Sequence, residues 1–483
     1  MSEFEPVIGL EVHCQLKTAT KMFSAATTVF GREPNSQVEP VSLGLPGALP
    51  VPNARAVELA VRAALALGGA VQERSVFDRK HYFYPDLPKG YQITQNALPY
   101  CVGGAVAIDL DGGGTREIGL IRIHIEEDAG KLIHQEHGPH SEVDLNRAGT
   151  PLIEIVSQPE IRSPAEAYAY LTELKRVLKW VGASDCEMQE GSLRCDANVS
   201  VRPKGQARFG TRVEIKNLNS FRAVEAAIEH EIRAQIALIR AGRGAEITQC
   251  TKLWDPDQRT TRMMRGKEDA ADYRYFPDPD LPPLLIPAAQ REAIRAGMPE
   301  LPRARQARFM APPLALDAVA ARELTADSAA ADYVEALVAR GCPPRLAANW
   351  TREEAMRLAG EQAKPLAEAA PVPIMAALIR LVDAGTVARV VAKMACSELF
   401  ASGQDPEAFF TARGEIQVQD AGQLAEWVAQ TIAAEPKVVA DVKGGKLAAI
   451  GRLVGVTMKR SGGKADPNQV KAELAKQLGV ALG

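Results

Sequence analysis

Glu11 and His13 stand two residues apart in Val7-Ile8-Gly9-Leu10-Glu11-Val12-His13-Cys14-Gln15-Leu16-Lys17. The spacing returns in Ile121-Arg122-Ile123-His124-Ile125-Glu126-Glu127-Asp128-Ala129-Gly130-Lys131. A carboxylate and an imidazole at i and i+2 of a strand point the same way, so both can touch one ion. Two further segments alternate likewise: Arg194, Asp196 and Asn198 oppose Leu193, Cys195, Ala197 and Val199, and Arg212, Glu214 and Lys216 oppose Val213 and Ile215. Oxygen-rich ligands with one imidazole suit Mg²⁺ or Mn²⁺ better than structural zinc. Mg²⁺ normally arrives with a phosphate. The same face, solvated or salt-bridged, would need no ion, because antiparallel sheets often leave one face in water.

The elements that must carry these residues read as follows. Residues 7–17 form a strand, with Leu10, Val12, Cys14 and Leu16 on its core side. Ile121, Ile123 and Ile125 face a core, and Glu127 falls in the acidic turn that follows. Asn53 caps a helix that Gly68-Gly69 stops. Ser163-Pro164-Ala165-Glu166 opens another as a capping box, and Ser220 starts a third. Residues 152–156 are an apolar strand. Residues 192–202 and 211–217 read as a hairpin through Pro203-Lys204-Gly205. Basic and aromatic residues interleave in Arg79-Lys80-His81-Tyr82-Phe83-Tyr84-Pro85-Asp86-Leu87-Pro88-Lys89-Gly90-Tyr91-Gln92. Such a loop can set a cation against phosphate and a ring against a base, or its rings can anchor a proline-rich turn to the core.

The 483 residues are enough for roughly three domains at ~150 residues each. Composition shifts near Ile286-Pro287 and again near Ser402-Gly403. The expected parts are therefore 1–290, mixed strands and helices; 291–402, helical and rich in alanine and leucine; and 403–483, a helical tail. In that tail Lys437, Lys443, Lys446, Arg452, Lys459, Arg460, Lys464, Lys471 and Lys476 outnumber Asp441, Asp466 and Glu473, and Gly444-Gly445 and Gly462-Gly463 separate short helical pieces. That excess suits a phosphate backbone, and equally a well-solvated helical end. Seven scattered cysteines without a C-x-x-C pair argue against a disulfide framework and fit a reducing cytoplasm. The acidic start Met1-Ser2-Glu3-Phe4-Glu5 has no signal-peptide core, and no apolar run approaches the ~18 residues of a membrane span.

The sequence also excludes chemistry. It has no G-x-x-x-x-G-K-[ST] loop, no G-x-G-x-x-G opening a helix and no G-x-S-x-G elbow. If ATP binds, a metal and cationic side chains on the sheet face must hold it.

Longer motifs carry a resemblance. Val7-Ile8-Gly9-Leu10-Glu11-Val12-His13, Tyr82-Phe83-Tyr84-Pro85-Asp86, His124-Ile125-Glu126-Glu127-Asp128-Ala129-Gly130-Lys131 and Asn146-Arg147-Ala148-Gly149-Thr150-Pro151-Leu152-Ile153-Glu154-Ile155-Val156-Ser157 stand in order. Glu190-Gly191-Ser192-Leu193-Arg194-Cys195-Asp196-Ala197-Asn198, Lys216-Asn217-Leu218-Asn219-Ser220-Phe221 and Asp272-Tyr273-Arg274-Tyr275-Phe276-Pro277 follow. Over essentially its whole length the chain resembles the B subunits of the aspartyl/glutamyl-tRNA amidotransferases. Glu160 departs where that pattern has aspartate, and Cys14 where it has an aliphatic residue.

The resemblance implies an α+β chain: an antiparallel-sheet cradle related to glutamine synthetase, then a helical domain, then a small helical tail that touches tRNA. It implies a cytoplasmic carbon–nitrogen ligase with glutamine as amido donor. ATP and Mg²⁺ serve to phosphorylate the side-chain carboxylate on Glu-tRNA(Gln) or Asp-tRNA(Asn). Ammonia comes from the amidase partner (the A subunit), and the small C subunit joins the two. Glu11, His13, Glu126 and Glu127 are then the metal and phosphate candidates, with Glu190 as a further ligand and Asp196 on the nucleotide side. Lys80 and Arg147 would spread charge over phosphate oxygens. A tRNA-docking scaffold without chemistry and a free-standing ATP-dependent amide ligase are the competing readings.

Overall fold

The computed structural model describes residues 3–134, 140–265, 272–417, 421–462 and 464–480. Met1, Ser2 and Gly463, which entered the readings above, lie outside them. The chain divides into two compact units, Met1–Leu301 and Pro302–Gly483.

The first unit is built on a mixed sheet of ten strands. Its central strand β1 (Phe4–Gln15) is flanked by two strands from far along the chain. The elements between and after them are α1 (Ala54–Ala66), β2 (Asp78–His81), β3 (Tyr91–Thr94), β4 (Thr115–Glu127), β5 (Pro151–Ser157) and α2 (Pro164–Trp180). Next come β6 (Leu193–Pro203), β7 (Val213–Leu218), α3 (Phe221–Arg240), β8 (Cys250–Asp255) and β9 (Thr260–Arg265). The sheet order is β9-β8-β7-β6-β1-β5-β4, continued by the short strands Cys101–Val102 and Ala70–Val71, while Ala105–Asp109 also pairs with β4. β1 runs antiparallel to both β5 and β6. β7 and β8 pair in parallel, with α3 as the crossover between them. The antiparallel sheet expected from sequence has this one parallel pairing among its described strands, because a helix-length connection returns the chain to the same end of the sheet.

Alternation sets the two faces. Leu10, Val12, Cys14, Ile123, Ile125, Ile153, Ile155, Cys195, Ala197, Val199 and Ile215 are buried together in one core with Leu171 and Leu174 of α2 and Val224 and Ile228 of α3. The opposite face keeps the polar residues. Ile121 breaks the pattern and is exposed, because the β5–β4 register slips so that Ser157 meets Leu120. A bulge shifts which residues face inward. Arg212 is exposed and precedes β7, so it leaves the polar row expected of it.

The helix starts follow their caps. Asn53 Oδ1 accepts the backbone N–H groups of Arg55 and Ala56 at 2.9 and 3.2 Å. Ser163 Oγ accepts Glu166 N–H at 3.1 Å, and Ser220 Oγ accepts Ala223 N–H at 3.0 Å. Each satisfies a donor that the first turn leaves without a helical partner.

The aromatic loop is partly structural. Arg79 reaches Asp278 and Asp280, both at 2.8 Å, and lies over the Tyr91 ring. Phe83 and Tyr84 are exposed.

The described residues of the second unit are helical throughout their regular structure. At its end, Leu424, Val428, Val442, Leu453, Val470 and Leu474 form a separate small core. Lys443, Lys459 and Lys464 are exposed around it. No helix among the described residues is long and apolar enough to cross a membrane.

Candidate active site

Strand register assembles the site. Across the sheet, His124 of β4 faces Glu154 of β5, Glu154 faces His13 of β1, and His13 faces Arg194 of β6. One row along, Glu11 lies between Val156 and Asp196. One row the other way, Glu126 faces Leu152. Four segments spread over nearly two hundred residues therefore put their polar side chains on one patch.

Its centre is a ring of two imidazoles and two carboxylates. His13 Nε2 lies 3.7 Å from Glu126 and 3.5 Å from Glu154. His124 Nε2 lies 3.4 Å from Glu126 and 3.2 Å from Glu154. Thr94 Oγ1 donates to Glu126 at 3.0 Å. His124 and Glu126 are buried. Burial works against charge on His124, but hydrogen bonds and attraction from Glu126 and Glu154 push its pKa up to about 9. His13 is raised against the same burial, chiefly by Glu154. The two imidazoles in turn hold Glu126 below and Glu154 well below the usual carboxylate range, again against burial. The buried charges thus neutralise one another.

One ligand atom from each of His13, Glu126 and Glu154 lies within 4.8 Å of the others. Two carboxylates and an imidazole are a donor set that fits a hard divalent cation such as Mg²⁺ or Mn²⁺. Among the described residues the buried Nδ1 of His124 has no hydrogen-bond partner, and the imidazole is held there by the two carboxylates.

Beside the ring, Glu11 accepts a 2.9 Å hydrogen bond from Asn198. Burial and the charges of Glu154, Asp196 and Glu214 raise its pKa. Asp196 pairs closely with Lys216, which also reaches Glu214 at 3.1 Å. Lys80 of β2 enters from the neighbouring small sheet. Its ammonium lies 4.9 Å from the Tyr273 ring centroid, and no described carboxylate is within ion-pair distance. Burial opposes its charge, yet the field of Glu126 raises its pKa.

The structure places three of the residues expected from sequence away from the ring. Glu127 is the last residue of β4, not part of the turn. Adjacent strand residues point oppositely, and its buried carboxylate pairs with Lys89 and accepts Ile93 N–H, away from the ring. Arg147 holds backbone: its guanidinium donates to the carbonyls of Ala129 and Gly130 and lies 3.7 Å from Asp128. It is committed to the turn rather than free for a phosphate. Glu190 is exposed in a turn and is not brought to the other candidates.

Two residues join the site that sequence reasoning leaves out. Glu154 sits in a strand that reads as apolar; a single carboxylate inside Leu152-Ile153-Glu154-Ile155-Val156 is the available signal. Asp128 binds Arg194 at 2.8 Å and Gln15 at 2.7 Å. Arg194 and Arg147 keep its pKa low despite burial. It fixes the turn after Glu127 to β1 and β6.

Comparison with known proteins adds to this geometry. A family model described as the GatB/GatE catalytic domain matches residues 6–292, and one described as the GatB domain matches residues 332–478. The chain is 49% identical over 482 residues to the B subunit of the aspartyl/glutamyl-tRNA(Asn/Gln) amidotransferase of Carboxydothermus hydrogenoformans, covering 99% of both chains. It is 50% identical over 488 residues to the protein of that name from Bordetella bronchiseptica, covering 99% of this chain and 100% of the relative. The catalytic-domain match spans the whole polar face, and the identity runs end to end: the chain belongs to the GatB family, the B subunits of tRNA-dependent amidotransferases.

Proposed function

We propose that this chain is the kinase and transamidase half of its amidotransferase, and that the His13–Glu126–Glu154 cluster is where phosphoryl transfer takes place. The observation that carries the reading is the convergence of those three ligand atoms within 4.8 Å on one sheet face. The side-chain carboxylate of Glu-tRNA(Gln) or Asp-tRNA(Asn) is a poor electrophile. Transfer of the ATP γ-phosphoryl group to it creates an acyl phosphate, and ammonia then displaces phosphate to leave the amide. Ammonia comes from the amidase partner, with the small C subunit as the third component.

His13, Glu126 and Glu154 would hold Mg²⁺, with Glu11 next along the face. A bound divalent cation supplies charge stabilisation on phosphate oxygens. Lys80 places a second positive charge toward the same oxygens. Asp128 and Arg194 hold the turn and strand that keep Glu126 in position. Asp196 is oriented by Lys216 toward the nucleotide side. Glu127 and Arg147 act as supports. Along the chain we read a cradle over 1–290, a helical part over 291–402 and a tRNA-binding tail over 403–483. The separate core of the tail and its exposed lysines support the last assignment.

The test is Glu126→Gln in the reconstituted complex. ATP-dependent transamidation should be lost while tRNA binding persists. Full activity would remove the site assignment, and tRNA binding without ATP consumption in the unaltered complex would leave the chain only a docking role.

A further inference from the structure

We propose that Cys14 and Cys186 are a peroxide-oxidisable dithiol that closes into a reversible disulfide behind the active-site strand. Their sulfurs are in contact at 3.9 Å. That is about 2 Å beyond the S–S bond length, a gap that side-chain rotation and a small loop shift can close. Cys14 follows His13 in β1 and points to the opposite, core side of the sheet.

Cys186 lies in a short loop with a left-handed backbone, φ 52°, and its N–H donates to Ser184 Oγ at 3.0 Å. The loop is pinned on both sides, by Lys17 N–H on Ala183 O and by Glu187 N–H on Ser192 Oγ. The residue between, Asp185, is exposed and pairs with Lys17 at the surface. Cys186 itself is fully buried, so peroxide reaches its sulfur only as this surface loop opens.

The two thiols are unequal. Cys186 sits in a loop beside exposed Asp185, whereas Cys14 lies within a strand and faces the core. That division suits an attacking thiol and a resolving thiol. The sulfurs of Cys101, Cys195, Cys342 and Cys396 donate to backbone carbonyls, as Cys14 also does to Gln15 O, but none of the four is in contact with a second sulfur among the described residues. Burial raises all four of those thiols, and Cys250 as well.

The chemistry balances. The Cys186 thiolate attacks one oxygen of hydrogen peroxide, the O–O bond breaks, and hydroxide leaves; Cys186 becomes a sulfenic acid. The Cys14 sulfur attacks that sulfur, the S–O bond breaks, and the departing hydroxide takes the Cys14 proton as water. Two thiols lose two electrons, and peroxide is reduced to water.

The experiment treats the full chain with hydrogen peroxide, quenches, denatures and titrates thiols. The titre should fall from seven to five, the seven of the sequence less the two bonded, and dithiothreitol should restore it. Peptide mapping of the unaltered protein should place the bridge between Cys14 and Cys186. C14V should form no bridge and leave a Cys186 sulfenic acid that dimedone traps. Seven persistent thiols, a bridge elsewhere, or a bridge in C14V would overturn the proposal.

Discussion

Glu154 faces His13 directly across the β1–β5 ladder, and its carboxylate oxygen lies 3.5 Å from the imidazole Nε2. The same oxygen lies 3.2 Å from His124. Glu154 therefore holds both imidazoles, while also offering an oxygen to a cation. Glu154→Gln keeps the shape and removes the charge. Transamidation should be abolished, a larger loss than the roughly 10- to 100-fold seen when a metal site loses only a supporting group. The melting temperature should also drop, since buried His124 and half-buried His13 lose a partner. Unchanged activity and unchanged melting would show that Glu154 does neither job.

The ring makes stability depend on pH in both directions. His124 is raised from 6.5 to about 9, so its contribution is fully present below about pH 6.5 and is lost as pH rises through about 9. Glu154 is held well below 4.5, so its contribution is present above that value and is lost as pH falls through its folded pKa. In metal-free protein, stability should decline between pH 7 and 9.5 by up to about 3 kcal/mol from His124. His124→Gln should flatten that decline. Parallel melting curves for the two proteins across this window would contradict the assignment.

Lys80 carries a charge that no described carboxylate pairs at close range, although Glu126 raises its pKa. Lys80→Met should cut ATP-dependent activity by roughly 100-fold, the scale for removing one electrostatic contact to a transition state. Melting should stay unchanged or rise slightly, because a partly buried cation is removed. A large loss of stability with normal turnover would make Lys80 a structural residue.

The tail core joins residues between Leu424 and Leu478, so a cut inside it would unfold the part being tested. Charge removal is cleaner. Lys443, Lys459 and Lys464 replaced together by glutamine should weaken tRNA binding. The salt slope should fall by about 0.7–0.9 for each phosphate no longer neutralised. Equal affinity with an equal slope would return the tail to an ordinary solvated helical end.

Much of this is legible in the sequence because alternation has a fixed period. The pairs Glu11/His13 and His124/Glu126 lie on the polar face as their spacing implies. What is not legible depends on which strand lies beside which. Glu154 reads as an outlier in a core strand until β5 is found next to β1. Glu127 reads as part of the turn because Asp128-Ala129-Gly130 follows it, yet β4 continues through it and its carboxylate binds Lys89. Arg147 looks like a free cation because sequence cannot show the two carbonyls it holds. Ile121 fits the alternation, but a bulge invisible in the pattern exposes it.

The most direct measurement is release of γ-phosphate from ATP by the chain assembled with its amidase partner, with and without Mg²⁺ and misacylated tRNA. Release should require both, and Glu126→Gln and Glu154→Gln should each abolish it while tRNA still binds. Undiminished release by either variant, or release indifferent to Mg²⁺, would contradict a phosphorylation site on the His13–Glu126–Glu154 face.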